Sequence, residues 1–151
     1  MKAVIVKSPG GSEQLEVVDV AVPKINANQV LIRTISAGVN RPDILQRRGL
    51  YNPPSDASKI LGLEISGEIV EIGDEVPADL MGQNVFALTH GGGYAEYCAV
   101  DYKHCILLPT NLSFREAACI PETAFTVFYN LFMIGRLREG DKVLIHGGSG
   151  G

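Results

Sequence analysis

The chain has 151 residues, 46% of them apolar and 20% charged, with 13 Lys+Arg against 17 Asp+Glu for a net charge of −4. That length suits one compact domain, or one domain with a piece of another, and the composition excludes disorder. The acidic balance argues against a nucleic-acid binder, and no apolar run is long enough for a membrane span.

Residues 2–7 and 15–20 are short, β-branched runs separated by Pro9-Gly10-Gly11, which predicts strand, turn, strand. A longer strand is expected over 29–37, with Val30, Ile32 and Thr34 on one face. Asn40 is placed to cap a short helix, with Pro42 in its first turn and Gly49 closing it. Tyr51-Asn52-Pro53-Pro54 forms a stiff loop. Residues 63–72 read as a strand, and Gly62, Gly67 and Gly73 predict close backbone approach or bulges there. Further short strands are expected over 84–88, 94–100 and 105–108. Short strands at near-regular spacing predict a barrel or sandwich.

The pattern changes after Pro109. Ser113-Phe114-Arg115-Glu116 is a capping box, followed by apolar residues at helical spacing that Pro121 divides into pieces. Residues 142–146 then read as an apolar strand running into glycines. Gly148-Ser149-Gly150 supplies the first part of G-x-G-x-x-G, whose bare backbone lets a pyrophosphate approach a helix N-terminus. Its third glycine would fall two residues beyond Gly151, so the chain reads as cut within the motif. The N-terminus shows no signal-peptide core, and the three cysteines, Cys98, Cys105 and Cys119, form no paired framework. A reducing, cytoplasmic setting is expected.

Five segments in order carry a family resemblance. They are Ala37-Gly38-Val39-Asn40-Arg41-Pro42-Asp43, Gly62-Leu63-Glu64-Ile65-Ser66-Gly67, Gly91-Gly92-Gly93-Tyr94-Ala95-Glu96-Tyr97, residues 117–125, and Gly140-Asp141-Lys142-Val143-Leu144-Ile145-His146-Gly147. Together they resemble the medium-chain dehydrogenase/reductase superfamily, nearest the zeta-crystallin-like NADPH:quinone oxidoreductases. The resemblance implies a mainly β fold with helices: a GroES-like β-barrel catalytic domain over 1–112, then, over 113–151, the first helices and strand of a truncated Rossmann domain that binds NADPH.

It also implies a zinc-independent enzyme. The positions at which zinc-dependent members place a Cys and a His are Ala37 and Leu63, which bind no metal. Hydride transfer to a quinone or an electron-poor carbonyl then rests on alignment and hydrogen-bond donors. Asn40 and Tyr51 match family positions facing the cleft and are the expected catalytic residues. Asn40, Thr126, Gly148, Gly150 and Gly151 are the expected cofactor-binding residues. Glu64, beside Leu63, is expected to be structural, and the stripe Phe125, Phe128 and Phe132 to be core. No residue in the chain distinguishes NADPH from NADH. The 151 residues alone are expected to be inactive, with NADPH affinity on the order of millimolar at best, and to form homodimers. The alternatives are an enoyl reductase of the same superfamily and a non-enzymatic interaction module.

Overall fold

The computed structural model describes residues 1–147. Strands β1 (Lys2–Val6) and β2 (Leu15–Asp19) pair antiparallel, with Lys2 opposite Asp19 and Val6 opposite Leu15. A second, five-stranded sheet is built from β3 (Gln29–Ala37), β4 (Glu64–Ile72), β5 (Asn84–Leu88), β6 (Tyr97–Asp101) and β7 (Cys105–Leu107). Its order is β6-β3-β4-β5-β7, and every pairing is antiparallel. Its core sits on β3, β4 and β5, where Val30, Ile32, Ile65, Ile69 and Val85 are fully buried. Gly67 lies on this face because a side chain there would run into the Arg33 carbonyl on β3. That is the close approach its position in the sequence predicts.

The β-barrel expected from the resemblance is not formed, and both sheets stay open. β6 and β7 occupy opposite edges of the larger sheet and share no ladder among the described residues. The cause lies in the turn Tyr102–His104. The Asp101 side chain accepts a hydrogen bond from the Lys103 N–H (2.9 Å), and the Tyr102 N–H donates to the Asn28 carbonyl (3.1 Å). The second bond carries the β6–β3 pairing one residue past Asp101, and the first satisfies the Lys103 N–H locally, so the chain turns away from the ladder there. β7, only three residues long, then pairs with β5. The fold is therefore mixed α/β with a five-stranded and a two-stranded sheet. Residues 94–96, expected to open β6, bond to β1 through an Ala3–Ala95 bridge and the Val4 N–H to the Tyr94 carbonyl (2.8 Å), while the Glu96 carbonyl also accepts from the Thr34 N–H on β3 (2.9 Å).

Three helices follow the predicted local signals. Helix α1 (Arg41–Arg47) begins after Asn40 with Pro42 in its first turn, and Gly49 follows it in the left-handed conformation (φ 72°). Helix α2 (Phe114–Ala117) is opened by the Ser113–Glu116 box. It is fastened to the sheet by the Ser66 hydroxyl donating to the Phe114 carbonyl (2.6 Å). Pro121 starts a separate piece, α3 (Pro121–Phe128), which a π-helical turn, Tyr129–Ile134, prolongs.

The strand expected over 142–146 is a second correction. These residues are irregular and exposed, Leu144 by 82%. A strand needs a neighbour for its N–H and C=O groups, and among the described residues none lies alongside. Phe128 and Phe132, expected in the core, are also exposed, their rings 5.2 Å apart.

Candidate active site

The site is organised by two carboxyl groups that the fold buries, Asp43 (3% exposed) and Glu64 (2%). Asp43 stands at the third position of α1, where its Oδ2 accepts from the backbone N–H of Asn40 (2.9 Å) and closes the helix start. The same oxygen accepts from the Tyr94 hydroxyl (2.9 Å), and Oδ1 accepts from the Gly62 N–H (3.0 Å). Burial, then the hydrogen bond to Asp43 and its charge, push the Tyr94 phenol above its usual range.

Glu64, the first residue of β4, spans two helices. Its Oε1 accepts from the Asn40 side-chain amide (2.8 Å) and its Oε2 from the backbone N–H of Glu122 (2.9 Å). Glu64 reaches both only because residue 38 is glycine. A Cβ there would collide with the Glu64 carboxyl and stand 2.7 Å from the Ala118 carbonyl oxygen. The Glu122 carboxyl is held above its usual range, first by burial and then by the charges of Glu64 and Asp43.

Two cavities meet at this cluster. One, of ≈ 290 Å³, lies between the start of α1 and α3 and is lined by Asn40, Arg41, Pro42, Glu122, Thr123 and Thr126, among others. The other, of ≈ 190 Å³, includes Tyr51, Leu63, Thr89 and His90, and shares Pro42 and Glu122 with the first. The structure thus brings Asn40 and Thr126 into one cavity and sets Tyr51 in the neighbouring one. Thr126 donates its hydroxyl back to the Glu122 carbonyl (2.7 Å), the local helix bond such a residue often makes. Gly148, Gly150 and Gly151 lie outside the described residues. Asp43, Tyr94 and Glu122 are members of this cluster that the sequence did not single out. The one available signal was the position of Asp43 three residues after Asn40.

Among the described residues, no group of three His, Cys, Asp or Glu side chains is arranged to hold a metal ion. Cys98 is buried and Cys105 half-buried against the core, and burial pushes each thiol up to about 12. Both act as packing residues.

Residues 26–110 match the alcohol dehydrogenase GroES-like domain family. The chain belongs to this family, within the medium-chain dehydrogenase/reductase superfamily. It is 37% identical over 153 aligned residues to the quinone oxidoreductase of Mus musculus, matching 100% of this chain and 46% of the relative. It is 32% identical to the synaptic vesicle membrane protein VAT-1 homolog of Danio rerio, over 99% of this chain and 31% of that one. Among solved structures, the quinone oxidoreductase from Coxiella burnetii superposes with a TM-score of 0.84 at 29% identity, over 99% of this chain and 49% of that one. The chain spans less than half the length of these relatives. No helix among the described residues is long and apolar enough to cross a membrane.

Proposed function

We propose that this chain forms the acceptor side of a zinc-independent, NADPH-dependent quinone oxidoreductase. Residues 1–112 would be its catalytic domain and 113–151 the entry to its nucleotide domain. The observation that carries this reading is the pair of cavities sharing Pro42 and Glu122, with Asn40 and Thr126 in one and Tyr51 in the other.

The larger cavity, ≈ 290 Å³, sits at the low end of ligand-pocket sizes and fits the nicotinamide end of the cofactor, not a whole dinucleotide. Asn40, Thr126 and Arg41 would hold that end, and Gly148, Gly150 and Gly151 the pyrophosphate. A bound reduced nicotinamide supplies a hydride. The chain's own residues do the rest. Glu64 fixes the Asn40 amide, whose second N–H remains to orient a ligand carbonyl. Tyr51 offers a phenolic donor to an acceptor oxygen in the smaller cavity. The Glu122 carboxyl, which burial and the neighbouring carboxylates make hold its proton more tightly than usual, lies in the wall common to both cavities and would donate to an acceptor gaining negative charge. The free thiols fit a cytoplasmic protein, and the exposed apolar surface from Phe128 to Ile145 fits a homodimer contact.

The acceptor class is tested by titrating the chain with 1,2-naphthoquinone and with a short enoyl thioester, following backbone NMR shifts. The expected result is saturable shifts at Tyr51, Leu63 and Glu122 with the quinone bound more tightly. Preference for the thioester would replace this reading with an enoyl reductase. Saturable binding of neither would favour a non-enzymatic interaction module.

A further inference from the structure

We infer that a third cavity binds a small organic anion of the phosphate-monoester class, independently of the hydride-transfer reading. This cavity, ≈ 470 Å³, shares Gln46, Pro53, Pro54, Ala57 and Ser58 with the Tyr51 cavity, and 6–9, at the end of β1, form its other flank. Three cations line it, Lys7, Arg47 and Lys59, and no Asp or Glu is among its lining residues. In a chain of net charge −4 that segregation is local and opposite in sign to the whole.

The cations are free to act. Among the described residues, the ion pairs are Lys2–Asp19 and Arg33–Glu68, and neither involves the cavity. Arg47 is half-buried and already positioned. Its Nε donates to the Gly10 carbonyl (3.2 Å), and the Gly10 N–H donates to the Arg47 carbonyl (3.1 Å). That pins the guanidinium while its terminal nitrogens keep their donors for a ligand. Glu13, the carboxylate that feels the Arg47 charge, accepts from the Gly11 N–H (3.0 Å) and does not line the cavity.

Hydroxyls complete the donor set. Ser58 Oγ accepts from the Ile60 N–H (3.2 Å), which leaves its O–H to donate, and Ser55 also lines the cavity. A phosphate monoester presents a near-dianionic head whose oxygens match a guanidinium fork, two ammonium groups and hydroxyls at once. The remaining wall is apolar, with Val6, Pro9, Pro54 and Leu61 available to the ester's carbon body. A concave site with three cations suits a single small head and not an extended polyanion, which needs a basic track.

The test is an NMR titration of the full chain at low salt with phenyl phosphate, alongside phenol and inorganic phosphate. Saturable shifts are expected at Ser8, Arg47, Ser58 and Lys59, with inorganic phosphate competing and phenol producing none of them. Lys7→Gln combined with Lys59→Gln changes two exposed side chains that make no ion pair among the described residues, and should weaken binding about tenfold or more. Arg47→Gln should weaken it further, and the Lys pair decides the matter if that variant unfolds. Unchanged affinity in the Lys7→Gln, Lys59→Gln protein would overturn the inference. So would shifts centred on Asn40 and Thr126, phenol binding as well as its phosphate, or failure of inorganic phosphate to compete.

Discussion

Glu64 ties the two helices of the site together through one side chain. Its oxygens hold the Asn40 amide at the start of α1 and the Glu122 N–H at the start of α3, from a position 2% exposed. Removing the carboxyl strands two part-buried donors and leaves a void. Glu64→Ala is therefore expected to cost about 2–4 kcal/mol in urea unfolding, and Glu64→Gln, which keeps the volume and one acceptor, clearly less. Equal stability of Glu64→Ala and the parent would contradict this geometry. Glu122 makes a pH prediction. Its carboxyl holds its proton more tightly in the folded chain, so it favours folding at low pH and loses that contribution as pH rises through the raised value. Glu122→Gln cannot titrate. Its stability relative to the parent should rise as the pH climbs above the ordinary glutamate range, read as a widening gap in thermal midpoints. A gap that narrows would show that Glu122 is stabilised as a charge.

At the scale of elements, what the sequence made legible was local. The Ser113–Glu116 box, the Pro121 break and the Gly49 helix stop each depend on residues within a turn of one another, and each stands where expected. Ser113→Ala removes the hydroxyl that accepts from the Glu116 N–H (3.3 Å) and should cost about 1 kcal/mol, with Ser113→Thr restoring most of it. No loss in Ser113→Ala would mean that the Ser66 hydrogen bond and the packing of Ala117 and Ala118 hold α2 without the cap. The 142–146 segment shows where local reading fails. Its β-rich composition was read correctly, but a strand is a relation between two chains' worth of backbone, and no partner lies beside it among the described residues. Hydrogen exchange should find its amides fast while those of Ile32 and Ile65, on central strands, are slow. Protection of Val143 to Ile145 would reveal a partner strand, in a second copy or elsewhere.

At the scale of the molecule, the missing information was non-local. Short strands at regular spacing suggested closure, but the strand order sends β6 and β7 to opposite edges, and the turn at Tyr102–His104 keeps them from pairing. The buried carboxyl cluster was equally hidden. Asp43, Glu64, Tyr94 and Glu122 come from four separate parts of the chain, and acidic residues give no sign in the sequence that they will be buried together. Asn40 was legible because its motif is compact, whereas its partner Glu64 is 24 residues away. The same geography makes the site a property of the whole fold. Its two cavities exist because the start of α1, the start of β4 and the start of α3 converge on Glu64. The most direct test is a titration of the chain with reduced nicotinamide mononucleotide, followed by backbone NMR in the parent and in Asn40→Ala. Weak, saturable shifts confined to Asn40, Thr123 and Thr126, and lost in Asn40→Ala, are the predicted result. Shifts that are absent, scattered over the surface, or unchanged in Asn40→Ala would contradict the assignment of this cleft to hydride transfer.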